Sequence, residues 1–184
     1  YIIQDRERFR STGLLPDTLP PFRYGFQRGK EFWVYEQPGA YYRRHLMLHE
    51  ATHGFMYDML GSAGPSWYME GIAELLGTHR WSDGELTLGY FPKKKEEVPQ
   101  WGRIKIVRDN FAVGHTPRLD QLFRIEPEQY YESAEAYAWS WAAAAFLDRH
   151  PEFRERFAKL SARVTEANFS ADFQDELQDD WQQL

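Results

Sequence analysis

The stretch from His49 to Glu74, HEATHGFMYDMLGSAGPSWYMEGIAE, constrains this chain more than any other. Positions four apart lie on one face of an α-helix, so His49 and His53 can direct two imidazoles at one metal ion while Glu50 leans toward the same space. That arrangement supplies two ligands and a base.

A catalytic zinc ion takes three protein ligands, so a third must come from another element. The segment Gly61-Ser62-Ala63-Gly64-Pro65 breaks the first helix, which is expected over Ala40 to Leu60, and Ser66 can cap a second helix from Trp67 to Gly77. Glu70 and, one turn later, Glu74 lie on that second helix. Carboxylates at i and i+4 repel one another on a bare helix, and a nearby cation or histidine N–H explains the pair. Gly71, beside Glu70 and without a side chain, is expected to let this helix approach the first.

The two motifs together, HExxH and, 17 positions after His53, the run Trp67-Tyr68-Met69-Glu70-Gly71-Ile72-Ala73-Glu74, resemble the gluzincin metallopeptidases, the peptidase-MA-like clan that includes thermolysin. The resemblance implies an α+β, zincin-like fold. A small N-terminal mixed sheet would lie over the HExxH helix, and a mostly helical C-terminal part would follow. It implies one zinc ion per chain on His49, His53 and Glu70, with Glu50 as general base and Glu74 hydrogen-bonded to a ligand histidine from behind the metal. The implied activity is hydrolysis of peptide bonds in a peptide or protein substrate. Tyr137, 67 positions after Glu70, is placed like the tyrosine that donates to the oxyanion in aminopeptidases of that clan. The resemblance further implies that the edge strand of the sheet pairs with extended substrate, which points to Tyr24, Gly25 and Phe26. The specific motifs occupy only residues 49 to 74 and, weakly, 137 to 147. The alternative reading is a domain that keeps the metal and the fold but serves as a non-catalytic scaffold or interaction module of a larger protein.

The remaining sequence bounds the problem. A chain of 184 residues fits a single domain, with the sheet and histidine helix in 1–60 and the glutamate helix and helical part in 61–184. A net charge of −6 argues against a nucleic-acid surface, and the one basic run, Lys93-Lys94-Lys95, is followed at once by Glu96 and Glu97. No stretch has the length and apolarity of a membrane span. With no cysteine, disulfides and thiolate ligands are excluded, which leaves histidine and carboxylate as the zinc set. The start at Tyr1-Ile2-Ile3 reads as an excised domain or processed chain, so location stays open, extracytoplasmic included.

Along the chain, Ile2-Ile3 is strand-like and Asp5 to Ser11 a small helix, while Pro16, Pro20 and Pro21 make Leu14 to Phe22 a surface connection. Tyr24 to Gln27 and Glu31 to Tyr35 flank Gly29 as a hairpin, with Phe32 to Tyr35 the more interior strand. Leu46, Met47, Phe55, Met56, Met59 and Leu60 are available for core contact from the first long helix. Glu85 to Leu88 reads as a strand, Arg103 to Val113 as helix or strand, and Arg118 to Phe123 as a short helical turn. Glu135 to Arg149 is the clearest late helix, its four consecutive alanines allowing close packing, and two further helices follow, one from Pro151 and one capped at Ser170 and running to Leu184. His79 is expected at the surface or as a helix C-terminal cap, and His115 in a loop.

Overall fold

The computed structural model describes residues 1–177. The protein is α+β, mostly helical, with a small mixed sheet. Strand β1 (Ile2–Ile3) leads into helix α1 (Arg6–Ser11), then β2 (Gly25–Arg28), β3 (Glu31–Tyr35) and α2 (Ala40–Phe55). Helix α3 (Ser66–Gly77), the hairpin β4 (Arg80–Ser82) and β5 (Glu85–Thr87), and helices α4 (Arg103–Ala112) and α5 (Leu119–Leu122) come next. The series closes with α6 (Pro127–Glu132), α7 (Ala134–Arg149), α8 (Arg154–Ser161) and α9 (Phe169–Leu177). The expected continuation of the last helix to Leu184 lies outside the described residues. Contacts divide the chain into two compact units, one of Tyr1–Met59 with Leu76–Trp101, the other of Leu60–Leu75 with the chain from Gly102 onward.

In the first unit the strand order is β1-β3-β2, with β1 parallel and β2 antiparallel to β3. A two-residue connection, Gly29-Lys30, joins β2 to β3, and Gly29 takes φ 61°, a backbone conformation that this tight turn needs and that side chains resist. Because side chains alternate across a strand, Trp33 and Val34, both fully buried, cover opposite faces. Trp33 packs with Ile3 and Leu15, flanked by Phe9, Leu19, Phe22, Phe26 and Tyr35, and its indole N–H donates to the Leu14 carbonyl at 2.6 Å. The proline-containing stretch from Leu14 to Phe22 is therefore no mere surface connection. The prolines bar regular structure, yet Leu15, Leu19 and Phe22 supply the apolar floor of a sheet too small to bury itself.

The other face of the sheet meets α2, and Gly54 comes within 4.0 Å of Gln27 as judged from a methyl placed there. Of the core residues expected from this helix, Leu46 and Met56 are buried, whereas Phe55, Met59 and Leu60 are exposed. For Met59 and Leu60 the reason is local: residues Met56–Leu60 form a π-turn, which changes the angular phase of the chain after the α-helix ends. In the β4–β5 hairpin, Asp83 and Gly84 both have positive φ, 54° and 84°, as an Asp-Gly turn requires.

The second unit is built on aromatic packing. Trp67, at the start of α3, stacks on Phe123 with centroids 4.6 Å apart and meets Phe173 edge-on at 5.1 Å. Tyr68 lies edge-on to Phe169 at 5.1 Å. Helix α7 buries Ala138, Trp139, Ser140, Trp141 and the run Ala143 to Ala145, so its backbone can come close to a neighbour. Among the described residues, no helix is long and apolar enough to cross a membrane.

Candidate metal centre

Helix α2 has a polar buried ridge rather than an apolar one: Tyr41, His45, His49 and His53 follow at i+4 intervals and are all buried, with Glu50 beside them. The ring nitrogens Nε2 of His49 and His53 are 3.0 Å apart, with the rings perpendicular. Two nitrogens each about 2.0–2.1 Å from one zinc ion must lie within roughly 4 Å of each other, and this pair satisfies that. Glu70 and Glu74 on α3 are also buried. His49, His53 and Glu70 each offer a ligand atom, all within 4.8 Å of one another, and the same is true of His45, His49 and Glu74. These buried groups can hold a metal ion.

The two glutamates of α3 differ in their partners. Glu74 accepts two hydrogen bonds from Arg103, Nε to Oε2 at 3.0 Å and Nη2 to Oε1 at 2.8 Å. Glu70 lies close enough to act on Tyr130: burial pushes the Tyr130 phenol well above its ordinary range, a 2.7 Å hydrogen bond with Ser140 Oγ works the other way, and Glu70 adds a smaller upward effect. Tyr130 is accordingly a neutral phenol at any physiological pH. Tyr137 is half-buried, meets the Tyr130 ring edge-on at 5.0 Å and carries the Arg103 guanidinium over its own ring at 5.2 Å.

The glycines of α3 do different work from the one expected. A methyl at Gly71 would lie 2.6 Å from the carbonyl oxygen of Ser140 and 3.2 Å from Ala144 Cβ, so Gly71 serves the close approach of α7. It is Gly77 that sits against α2, where a methyl would stand 3.0 Å from the His45 ring. Because Cβ direction turns 100° per residue, Gly71 and Gly77 point to different neighbours.

The edge strand stands close to Glu50. A methyl at Gly25 would lie only 2.9 Å from Cδ of Glu50, so the absence of a side chain there is what lets the carboxylate lie against β2. The Tyr35 N–H bonds the Tyr24 carbonyl at 2.8 Å, and in an antiparallel ladder this makes Tyr24, Phe26 and Arg28 the residues whose backbone groups face β3. The N–H and C=O of Gly25 and Gln27 then point to the outer edge of β2, which among the described residues has β3 as its strand neighbour. Of the three expected residues, Gly25 is brought to the open edge, whereas the Phe26 ring stacks on Phe22 below the sheet and Tyr24 meets Tyr42 edge-on.

His79 is fully buried rather than at the surface. Its Nδ1–H donates to the Gly77 carbonyl at 2.8 Å, which caps the end of α3; its Nε2 accepts from Arg44 Nε at 3.2 Å, and Tyr41 stacks on the ring at 4.4 Å. Burial holds its pKa below the ordinary histidine value, with Arg44 and His45 adding to the effect and the Gly77 carbonyl opposing it. His115 is an exposed loop residue paired with Glu135 at 2.8 Å. Two neighbours of the site, His45 and Arg103, differ in how the sequence announces them. His45 stands four residues before His49, a spacing that marks it, whereas Arg103 has no local signal at all.

Comparison with protein-family models, with curated proteins and with solved structures finds no match to this chain. Its function rests on the side chains and their geometry.

Proposed function

We propose that this chain is a zinc-dependent hydrolase, a metallopeptidase of the gluzincin type, with His49, His53 and Glu70 as the metal ligands and Glu50 as general base. The observation that carries the proposal is the placement of Glu50, adjacent to one ligand histidine and packed against the backbone of an edge strand at Gly25. A base that is to serve peptide hydrolysis must lie between the ion and the path of the substrate backbone, and this is where an extended peptide added to β2 would run. A zincin-like fold is supported by the mixed sheet on the histidine helix and by the mostly helical chain that follows.

Between the two possible ligand groups, the one with Glu70 is favoured. Both oxygens of Glu74 already accept from a guanidinium, so a cation there would compete with Arg103 for the same charge. Two imidazoles and one carboxylate, in a chain without cysteine, are a donor set suited to catalytic zinc. When bound, the ion supplies Lewis acidity, polarising the scissile carbonyl and making the attacking water more acidic.

The chain's own groups do the rest. Backbone N–H and C=O of Gly25 and Gln27 hold the substrate extended. A Glu50 carboxylate oxygen takes the proton of the attacking water and returns it to the leaving amine nitrogen. The Tyr137 hydroxyl donates to the oxyanion; its ring is held between Arg103 and Tyr130.

Glu50→Gln tests the reading. Against a diverse peptide library with zinc present, the parent should cleave and a chelator should abolish cleavage. The variant should bind zinc and unfold as the parent does, yet lose about 10²- to 10⁴-fold in rate. Undiminished cleavage by Glu50→Gln would contradict the mechanism, and a zinc-loaded parent that cleaves nothing would point instead to a metal-binding scaffold.

A further inference from the structure

We propose that Arg103 is a positioning residue of this metal centre: its guanidinium fixes the plane of the Glu74 carboxylate and, through it, the orientation of His49. The inference rests on the metal reading above. Its starting point is the geometry of one pair. Arg103 Nε and Nη2 reach Glu74 Oε2 and Oε1 at 3.0 and 2.8 Å, the two-point contact of a planar fork on a planar carboxylate. Glu74 is 2% exposed and the Arg103 side chain 14%, so neither group is free to reorient into water.

A glutamate side chain ends in a soft torsion, and a single-point partner such as an ammonium leaves the carboxylate free to spin about it. A fork removes that freedom. Each carboxylate oxygen has two acceptor sites, so Glu74 held by Arg103 can still accept from a histidine. A Glu74 oxygen lies within 4.8 Å of ring nitrogens of both His49 and His45. His49 Nε2 faces His53, so Nδ1 is the nitrogen through which Glu74 would hold the ring with a metal bound. A carboxylate that receives Nδ1–H fixes both the tautomer and the ring orientation of a ligand histidine.

The guanidinium is itself held from two sides. Arg103 opens α4, so its backbone is set by the first helical turn, and its charged face lies over the Tyr137 ring at 5.2 Å. One side chain thereby ties α4 to α3 through Glu74 and to α7 through Tyr137. A surface ion pair would have no such consequence; a buried fork with an aromatic backstop transmits position.

Arg103→Lys separates geometry from charge, because lysine keeps the cation and loses the fork. Zinc affinity, read by competition with a chromophoric chelator, should fall about 10-fold, in line with the loss of a group that orients a ligand. Arg103→Gln, which keeps a planar donor with one arm, is the second variant and should fall in the same direction, with circular dichroism confirming the fold of each. In a Glu74→Gln background, Arg103→Lys should cost no further affinity, because the group it acts through is already altered. Parent-like zinc affinity in the folded variants, or losses that simply add in the double variant, would overturn the role of Arg103 while leaving the metal centre intact. A parent that binds no zinc would overturn the metal reading and this role together.

Discussion

At the scale of single residues, chemistry here is decided by what each buried polar group faces. Glu50, Glu70 and Glu74 are all carboxylates below one-tenth exposure, yet one lies against strand backbone, one beside a buried phenol and one in a guanidinium fork. His79 shows the same principle with a titration consequence. Its folded-state pKa is held down by burial, so the unfolded chain takes up the proton first. The stability it contributes is complete above the ordinary histidine value, about 6.5, and is lost as pH falls through its lowered folded value. Replacing it with glutamine, which retains an N–H for the Gly77 carbonyl, should flatten that part of the profile. Thermal midpoints of parent and His79→Gln between pH 7.5 and 5 should converge on acidification; a constant difference would show that His79 does not titrate on unfolding.

Elements are placed by patterns of different strength, and their legibility in the sequence follows from that. The HExxH spacing needs only helical periodicity to align His49 and His53, and the Gly-Pro break after Gly61 separates α2 from α3, so both helices could be read directly. Gly71 was a different matter. A glycine declares that something comes close without saying what, and the neighbour proved to be the α7 backbone at Ser140. Likewise, prolines exclude a helix or strand from Leu14 to Phe22 but carry no information about burial, which the apolar side chains between them decide. Arg103 escapes sequence reasoning because its partner, Glu74, is 29 residues away and the pair exists only in the fold. The Gly71 contact yields a prediction for the helix pair. In Gly71→Ala the new methyl meets a backbone oxygen that cannot swing aside, so α3 and α7 must separate, at a cost of about 1–3 kcal/mol in unfolding free energy. Chemical denaturation measures it; an unchanged midpoint would mean the helices are less closely coupled than their spacing indicates.

At the scale of the whole molecule, an acidic chain buries histidines and carboxylates that can hold a metal ion among its described residues. The absence of cysteine narrows the ligand chemistry to histidine and carboxylate, and ligand atoms of His49, His53 and Glu70 all lie within 4.8 Å of one another. Burying histidines and carboxylates together is costly unless they are paired or coordinate a metal. The measurement that tests this most directly is the metal content of the chain purified without added zinc, together with anomalous scattering at the zinc edge. The account predicts one zinc per chain, bounded by His49, His53 and Glu70, and its loss in His53→Ala. Protein that is folded and metal-free even after incubation with zinc, or His53→Ala that retains the ion at full stoichiometry, would contradict it.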